Sequence, residues 1–305
     1  MIETALIVTT VLLLDRWLGQ FRRHQTLVGF GLLGARVERI LFRGTDRSTR
    51  MCGVVGWIAM VLPVLVVALL LMHLQGFLFL LAQVFTLYLV LNSRTLSVQA
   101  FGVQQALLQK NLALARERLG WIVQQDCEQL DEEQIASVTI ESLLERANES
   151  LFAPIFWFVV AGIPGVLLFR AVSILSSMWS YKNDRYYQFG WFSGRAHHWL
   201  CWIPVRLMAL NYLLLGKSSA VVNGWRYQAN LCSSQNRGVM MATGANALQI
   251  KLGGVAWHHD KLIAHPILGC CRRPFPNDIE RIMVLIEHGL LVWIALLWLV
   301  GFYYG

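Results

Sequence analysis

The chain has 305 residues, 56% of them hydrophobic and only 14% charged, with twelve Trp and a formal charge of +8. That balance excludes an ordinary soluble domain and calls for an integral membrane protein. The positive charge suits anionic headgroups and anionic substrates; no RNA or DNA motif is visible, and locally clustered acids argue against nucleic-acid binding.

In chain order, IETALIVTTVLLL runs straight into Asp15-Arg16-Trp17. It has no basic leader or small-residue cleavage site, which predicts a short, uncleaved first span. Residues 16–50 hold eight Arg against Glu38 and Asp46. The positive-inside rule places that segment in the cytoplasm and the N-terminus outside. Within it Leu27, Phe30, Leu33, Val37 and Ile40 recur at helical spacing opposite Arg36 and Arg39. This amphipathic pattern suits a helix lying along the interface or packed on protein. Cys52 to Leu71 and Phe77 to Leu91 are almost uncharged and are joined by His73-Leu74-Gln75-Gly76; they predict a transmembrane helical hairpin.

Residues 92–150 change to an amphipathic helical composition. Leu107, Leu108, Leu112, Ala115, Leu119 and Ile122 form one stripe, and Asp131 with Gln134 predicts a capping box. Arg116 and Arg118 are expected to pair with nearby acids. Glu141, Glu145 and Glu149, four apart, stack on one helix face, where like charges repel. Such a stripe is either solvated or there to meet a cation. The apolar run LFAPIFWFVVAGIPGVLLFRAVSILSSMW follows, interrupted by Pro154, Gly162, Pro164 and Gly165. A freed carbonyl in a bilayer needs a partner, so a broken, re-entrant segment hinged at Pro164-Gly165 is expected. A full crossing that returns through Leu200 to Leu215 is the alternative.

Lys182, Arg185, Arg195 and Arg206 then sit among Tyr186, Trp191 and Trp202, a mixture suited to an anionic, partly flat ligand. From Tyr181 to Arg281 twelve Lys or Arg face four acids, again a cytoplasmic signature. Gly216-Lys217-Ser218 is discounted as a P-loop, because Asn211 stands where its first Gly belongs and no strand precedes it. His258, His259, His265 and Cys270 fit no common zinc spacing. The six Cys, none in a Cys-x-x-Cys spacing, read as reduced or buried thiols. IMVLIEHGLLVWIALLWLVGFYYG closes the chain as a final span with an aromatic belt.

These residues carry a resemblance. RLGWIV at Arg118 to Val123, Leu130-Asp131, Glu141-Ser142, APIFW at Ala153 to Trp157, Pro164-Gly165 and Arg170-Ala171-Val172 follow one pattern. Tyr181-Lys182, Arg185-Tyr186, Phe189-Gly190-Trp191 and the Pro204, Arg206, Leu207 cluster continue it. In order and spacing over roughly residues 114–254, the chain resembles the CobD/CbiB family of cobalamin biosynthesis. The resemblance implies an all-α, polytopic inner-membrane domain with a broken helix and amphipathic cytoplasmic helices. As one domain over 1–305, it divides into N-terminal spans and a basic loop (1–92), cytoplasmic helices (93–150), a broken helix with a basic site region (151–281) and a final span (282–305).

The resemblance also implies an ATP- and Mg2+-dependent ligase joining aminopropanol phosphate, or a relative, to a corrinoid propionate. The enzyme would associate with membrane lipid and other corrinoid-assembly enzymes. Glu141, Glu145 and Glu149 are then the candidate catalytic acids, with Glu145 and Glu149 as metal ligands. Arg118, Lys182, Arg185, Arg195, Arg206, Tyr186, Trp191 and Asn236 are candidate substrate contacts. There are departures: Glu145-Arg146 and Glu149-Ser150 replace an acid-Asn pair and Asp-Gly. His197-His198 replaces a pair of acids, Ser234-Gln235-Asn236 replaces Ser-Pro-Asn, and Met240-Met241 replaces Pro-Glu. The chain therefore also resembles the AmpE-type regulators of the same superfamily, which have lost most acidic motifs, and a non-catalytic membrane role is the alternative.

Overall fold

The computed structural model describes residues 1–18, 23–42, 47–123, 126–180, 186–258 and 261–304. The chain is almost entirely helical. Among the described residues five helical stretches are long and apolar enough to cross a membrane: Thr49–Met72, Gly76–Leu108, Glu132–Trp179, Trp191–Leu215 and Pro276–Tyr304. The protein is a multi-pass membrane protein. It divides into two compact units that alternate along the chain, Met1–Asn92 with Ala153–Ile203, and Ser93–Phe152 with Pro204–Gly305.

The first unit begins with α1 (Ile2–Leu18), whose 17 residues span ~26 Å, a little short of a bilayer core. Next come α2 (Arg23–Leu41), α3 (Arg47–Met72) and α4 (Gly76–Val90). The expected hairpin is present as α3 and α4, the former carrying Pro63 inside it. One side of α2 packs through Phe30, Val37 and Leu41 onto a core of Met60, Val61, Val172, Leu175, Trp179 and Phe189. Leu33 and Ile40 of the same helix stay exposed, and of the two alternatives for this segment the structure bears out packing on protein.

Helix α8 (Ala153–Trp179) is broken where the sequence leads one to expect, two residues before the Pro164-Gly165 pair. Gly162 has φ 59° and ψ −142°, a conformation open essentially to glycine alone. The short α9 (Tyr186–Phe189) leads into α10 (Trp191–Leu215), which is long and apolar enough to be the return crossing. Pro204 lies inside α10 and has no N–H to donate to the Leu200 carbonyl. The Trp157 indole of α8 donates to that carbonyl at 3.0 Å instead. An acceptor orphaned in an apolar medium is thereby satisfied.

At the end of α9 the backbones touch. A Cβ on Gly190 would overlap the Trp179 carbonyl, and one on Gly53 of α3 would overlap the Phe189 carbonyl. Only glycine fits either place.

The second unit holds α5 (Ser93–Leu108), α6 (Leu112–Gly120) and α7 (Glu132–Ala147). The single stripe expected across Leu107 to Ile122 is split. Lys110 turns left-handed with φ 57°, and the Asn111 side chain caps the next helix by accepting from the Leu114 N–H at 3.0 Å. Leu107, Ala115, Leu119 and Ile122 are buried while Leu108 is exposed. Among the described residues Arg116 and Arg118 show no ion pair with an acid: they donate to the Leu130 and Gly102 carbonyls at 2.9 and 2.8 Å. The Asp131–Gln134 capping box forms as expected. Ile135, Ile140, Leu143 and Leu144 of α7 are buried, and the helix packs against α12 (Gln235–Leu248) and α13 (Pro276–Tyr304).

Between α10 and α12 lie α11 (Ser218–Asn223) and single π and 3-10 turns. An antiparallel hairpin of β1 (Lys251–His258) and β2 (Lys261–Gly269) interrupts the otherwise helical chain, with a bulge between Leu252 and Gly254. The sequence reading has no strand here.

Candidate active site

A π turn at Asn148–Phe152 separates α7 from α8, so Glu149 lies past the end of the regular helix that carries Glu141 and Glu145. Such bulges recur at functional sites. The stripe meets a cation: Arg237, in the first turn of α12, donates to Glu141 Oε2 at 3.2 Å and to Glu145 Oε1 at 2.9 Å. The other Glu141 oxygen accepts from Ser137 Oγ at 3.2 Å and from the Gly253 N–H at 3.0 Å. Glu141 is thus fully engaged and mostly buried. Glu145 keeps 39% of its side chain exposed and feels the charge of Glu149. Burial works to lower the Arg237 guanidinium, but Glu145 and Glu141 outweigh it and the net shift is upward, so its charge is held.

Next to Arg237, Asn236 is buried and accepts from Arg206 Nη1 at 3.2 Å. Ser234 caps α12 by accepting from the Arg237 N–H at 3.5 Å. Two arginines, a buried amide and the positive end of a helix dipole therefore converge on one helix start, an arrangement suited to phosphate or carboxylate oxygens.

The second unit thus brings together Glu141, Glu145, Arg206 and Asn236 from the predicted set. Arg118 is also in this unit, but its bond to the Gly102 carbonyl gives it a structural task between α6 and α5. In the first unit, Trp191 lies under two cations, Arg50 at 5.3 Å and Arg195 at 5.5 Å from the ring centre. Lys182 and Arg185 lie outside the described residues, as does the side chain of Tyr186. Sequence reasoning missed Arg237, and with it Ser137 and the Gly253 N–H. The signal was there in part, since a stripe of three like charges implies a partner without saying where in the chain it lies.

The residues also bear on the implied magnesium. Glu145 and Glu149 offer two neighbouring carboxylates, one of them partly committed to Arg237, and no group of three or more His, Cys, Asp or Glu suited to a metal occurs among the described residues. Magnesium bound through one or two carboxylates, with water and substrate phosphates completing its shell, fits such a donor set.

These elements define a helical, multi-pass membrane protein with an acid–arginine cluster at the start of a largely buried helix. Comparison with known proteins sharpens that class. The CobD/Cbib protein family matches residues 8–286. The cobalamin biosynthesis protein CobD of Stutzerimonas stutzeri is 42% identical over 294 residues, covering 96% of this chain and 97% of its own. The protein of the same name from Chromobacterium violaceum is 41% identical over 299 residues, covering 96% of each, and that of Mycobacterium tuberculosis is 29% identical over 279. No solved structure matches. The chain belongs to the CobD/CbiB family, and its role is in cobalamin biosynthesis.

Proposed function

We propose that the protein is an ATP-dependent ligase that forms the amide between a corrinoid propionate and aminopropanol phosphate or a close relative. The observation that carries the proposal is the cluster at the start of α12, where Arg206, Asn236 and Arg237 meet Glu141 and Glu145. Arg206, bonded to Asn236, carries a guanidinium whose chemistry suits phosphate or propionate oxygens, and the helix start adds N–H donors for the same charge. Glu141, saturated with hydrogen bonds, fixes Arg237. Glu145 and Glu149 are the carboxylates that would hold magnesium. When bound, ATP with magnesium supplies the phosphoryl group that turns a carboxylate into an acylating agent.

Complementation tests the reading. The chain is expected to restore cobalamin-dependent growth to a strain lacking its corrinoid ligase, and Glu145→Gln to abolish the rescue at equal expression in the membrane. No rescue by the unaltered, inserted protein would favour the regulator-like alternative. Rescue persisting after loss of Glu145 and Glu149 together would leave the ligase and remove this site from it.

The reading also places the protein in the bacterial inner membrane with the α11–α12 region on the cytoplasmic side, where ATP is. Ser219 of α11 is exposed. In a cysteine-free background Ser219→Cys should resist an impermeant thiol reagent on intact cells and react once the membrane is opened. Equal labelling in both conditions would reverse the orientation.

A further inference from the structure

Cys270 and Cys271 follow β2 and are free thiols, the first half-buried and the second exposed. Their sulfurs lie 3.2 Å apart, inside ordinary van der Waals contact. Adjacent side chains in an extended strand point to opposite faces, so this approach has a specific backbone cause. Cys271 is left-handed, with φ 73°, which swings its side chain to the side of Cys270. That conformation costs a non-glycine residue about 1 kcal/mol or more, and the neighbouring backbone holds it in place. The Cys270 N–H donates to the Ile250 carbonyl at 3.1 Å, and the Lys251 N–H to the Arg272 carbonyl at 2.7 Å. The pair is thus clamped on both sides. Beyond it Arg272 grips the buried Asp278 at the start of α13 through two bonds, at 2.6 and 2.9 Å.

We infer that Cys270 and Cys271 form a reversible dithiol site that low-molecular-weight disulfides oxidise to a vicinal disulfide. The chemistry is thiol–disulfide exchange. The exposed Cys271, as thiolate, attacks one sulfur of the disulfide RSSR and releases RS−, leaving a mixed disulfide. Cys270 then loses its proton and attacks Cys271 Sγ, releasing the second RS−. The two protons lost by the cysteines are taken up by the two RS− groups. The two thiols lose two electrons, and RSSR gains them as two RSH. Burial and the Cys271 thiol push the Cys270 thiol up, which suits it to the second, resolving step rather than the first. Closure into a small ring moves the left-handed residue next to Arg272, so the oxidation state bears on the anchor of α13. This inference does not depend on the ligase reading.

The test uses the full reduced chain in detergent, exposed to glutathione disulfide and then blocked with an alkylating reagent. The peptide bearing both cysteines should lose two hydrogens, carry no alkyl group and no glutathione, and recover both thiols with dithiothreitol. In Cys270→Ser the second step is impossible, and a stable glutathione adduct on Cys271 is expected. A persistent glutathione adduct in the unaltered chain, or two alkylated thiols after oxidant that leaves no trace on the pair, would overturn the inference. Buried Cys127, whose thiol is pushed up to about 11 by burial and Asp126, serves as an internal control and should stay unmodified throughout.

Discussion

Arg237→Met is expected to abolish corrinoid-ligase complementation and to lower stability by ~1–3 kcal/mol. The substitution keeps much of the aliphatic stem and removes only the charge and its fork of donors. Glu141, with 16% of its side chain exposed, would then lose the cation it faces, and Glu145, one turn away, would repel it unopposed. A fully buried pair broken this way typically costs more. Here Arg237 and Glu145 are 42% and 39% exposed, and solvent screening reduces the penalty. Arg237→Lys should recover part of the stability and little of the function, because an ammonium is a point charge that cannot bridge two carboxylates in one plane. Thermal unfolding in detergent and growth on a cobalamin-dependent medium measure the two effects. An unchanged melting temperature together with full rescue would show that the ion pairs are incidental.

The second large effect is expected at Gly190, away from any charged cluster. Gly190→Ala places a methyl group in the space of the Trp179 carbonyl. Trp179 and Phe189 are both buried in the core of their unit, and the obstructing atoms are backbone, which cannot change rotamer. Overpacking against flexible side chains costs about 1–3 kcal/mol; against backbone, ~3 kcal/mol or more is expected. The protein should reach the membrane in much lower yield, or unfold well below the unaltered chain. Gly76→Ala is a suitable comparison, since a Cβ there meets nothing within 4 Å and only its left-handed φ of 55° is strained. If Gly190→Ala behaves no worse than Gly76→Ala, the close backbone approach is not a constraint.

Gly190 also shows what was legible in the sequence and what was not. The Phe189-Gly190-Trp191 motif, like Trp157 in APIFW and Pro204, identifies the family, but its reason appears only in three dimensions. Trp157 and Pro204 are linked because one supplies the donor that the other withholds from Leu200. The spans, the capping box and the break near Pro164 were readable, since apolar run length, side-chain capping and imino-acid chemistry are local. The break itself falls on Gly162, because a glycine and not the following proline takes a positive φ. The hairpin at 251–269 was missed: the sequence His258-His259 draws attention to metal binding, and the period-two pattern is blurred by Gly253 and Gly254 at the bulge. Arg237 was missed because SSQNRGVMM carries no local sign of a carboxylate partner about a hundred residues earlier in the chain. Arg116 and Arg118 failed in the opposite sense. Acids were close by in sequence, but a backbone carbonyl within α5 and one in the loop before α7 are the acceptors they use.

The two units alternate along the chain, and this shapes how the protein must be made. Helices α5 to α7 leave the ribosome long before α12 and α13, against which α7 packs. Meanwhile the first unit is also incomplete until α8 and the first half of α10 arrive. Neither unit is a contiguous fragment that a truncated gene encodes. A stop codon after residue 203 would leave α7 without its later partners, and Glu141 and Glu145 without Arg237, throughout the life of the fragment. In the growing chain the same exposure is transient. Its duration is set by the time taken to translate the hundred or so residues between the acids and their arginine.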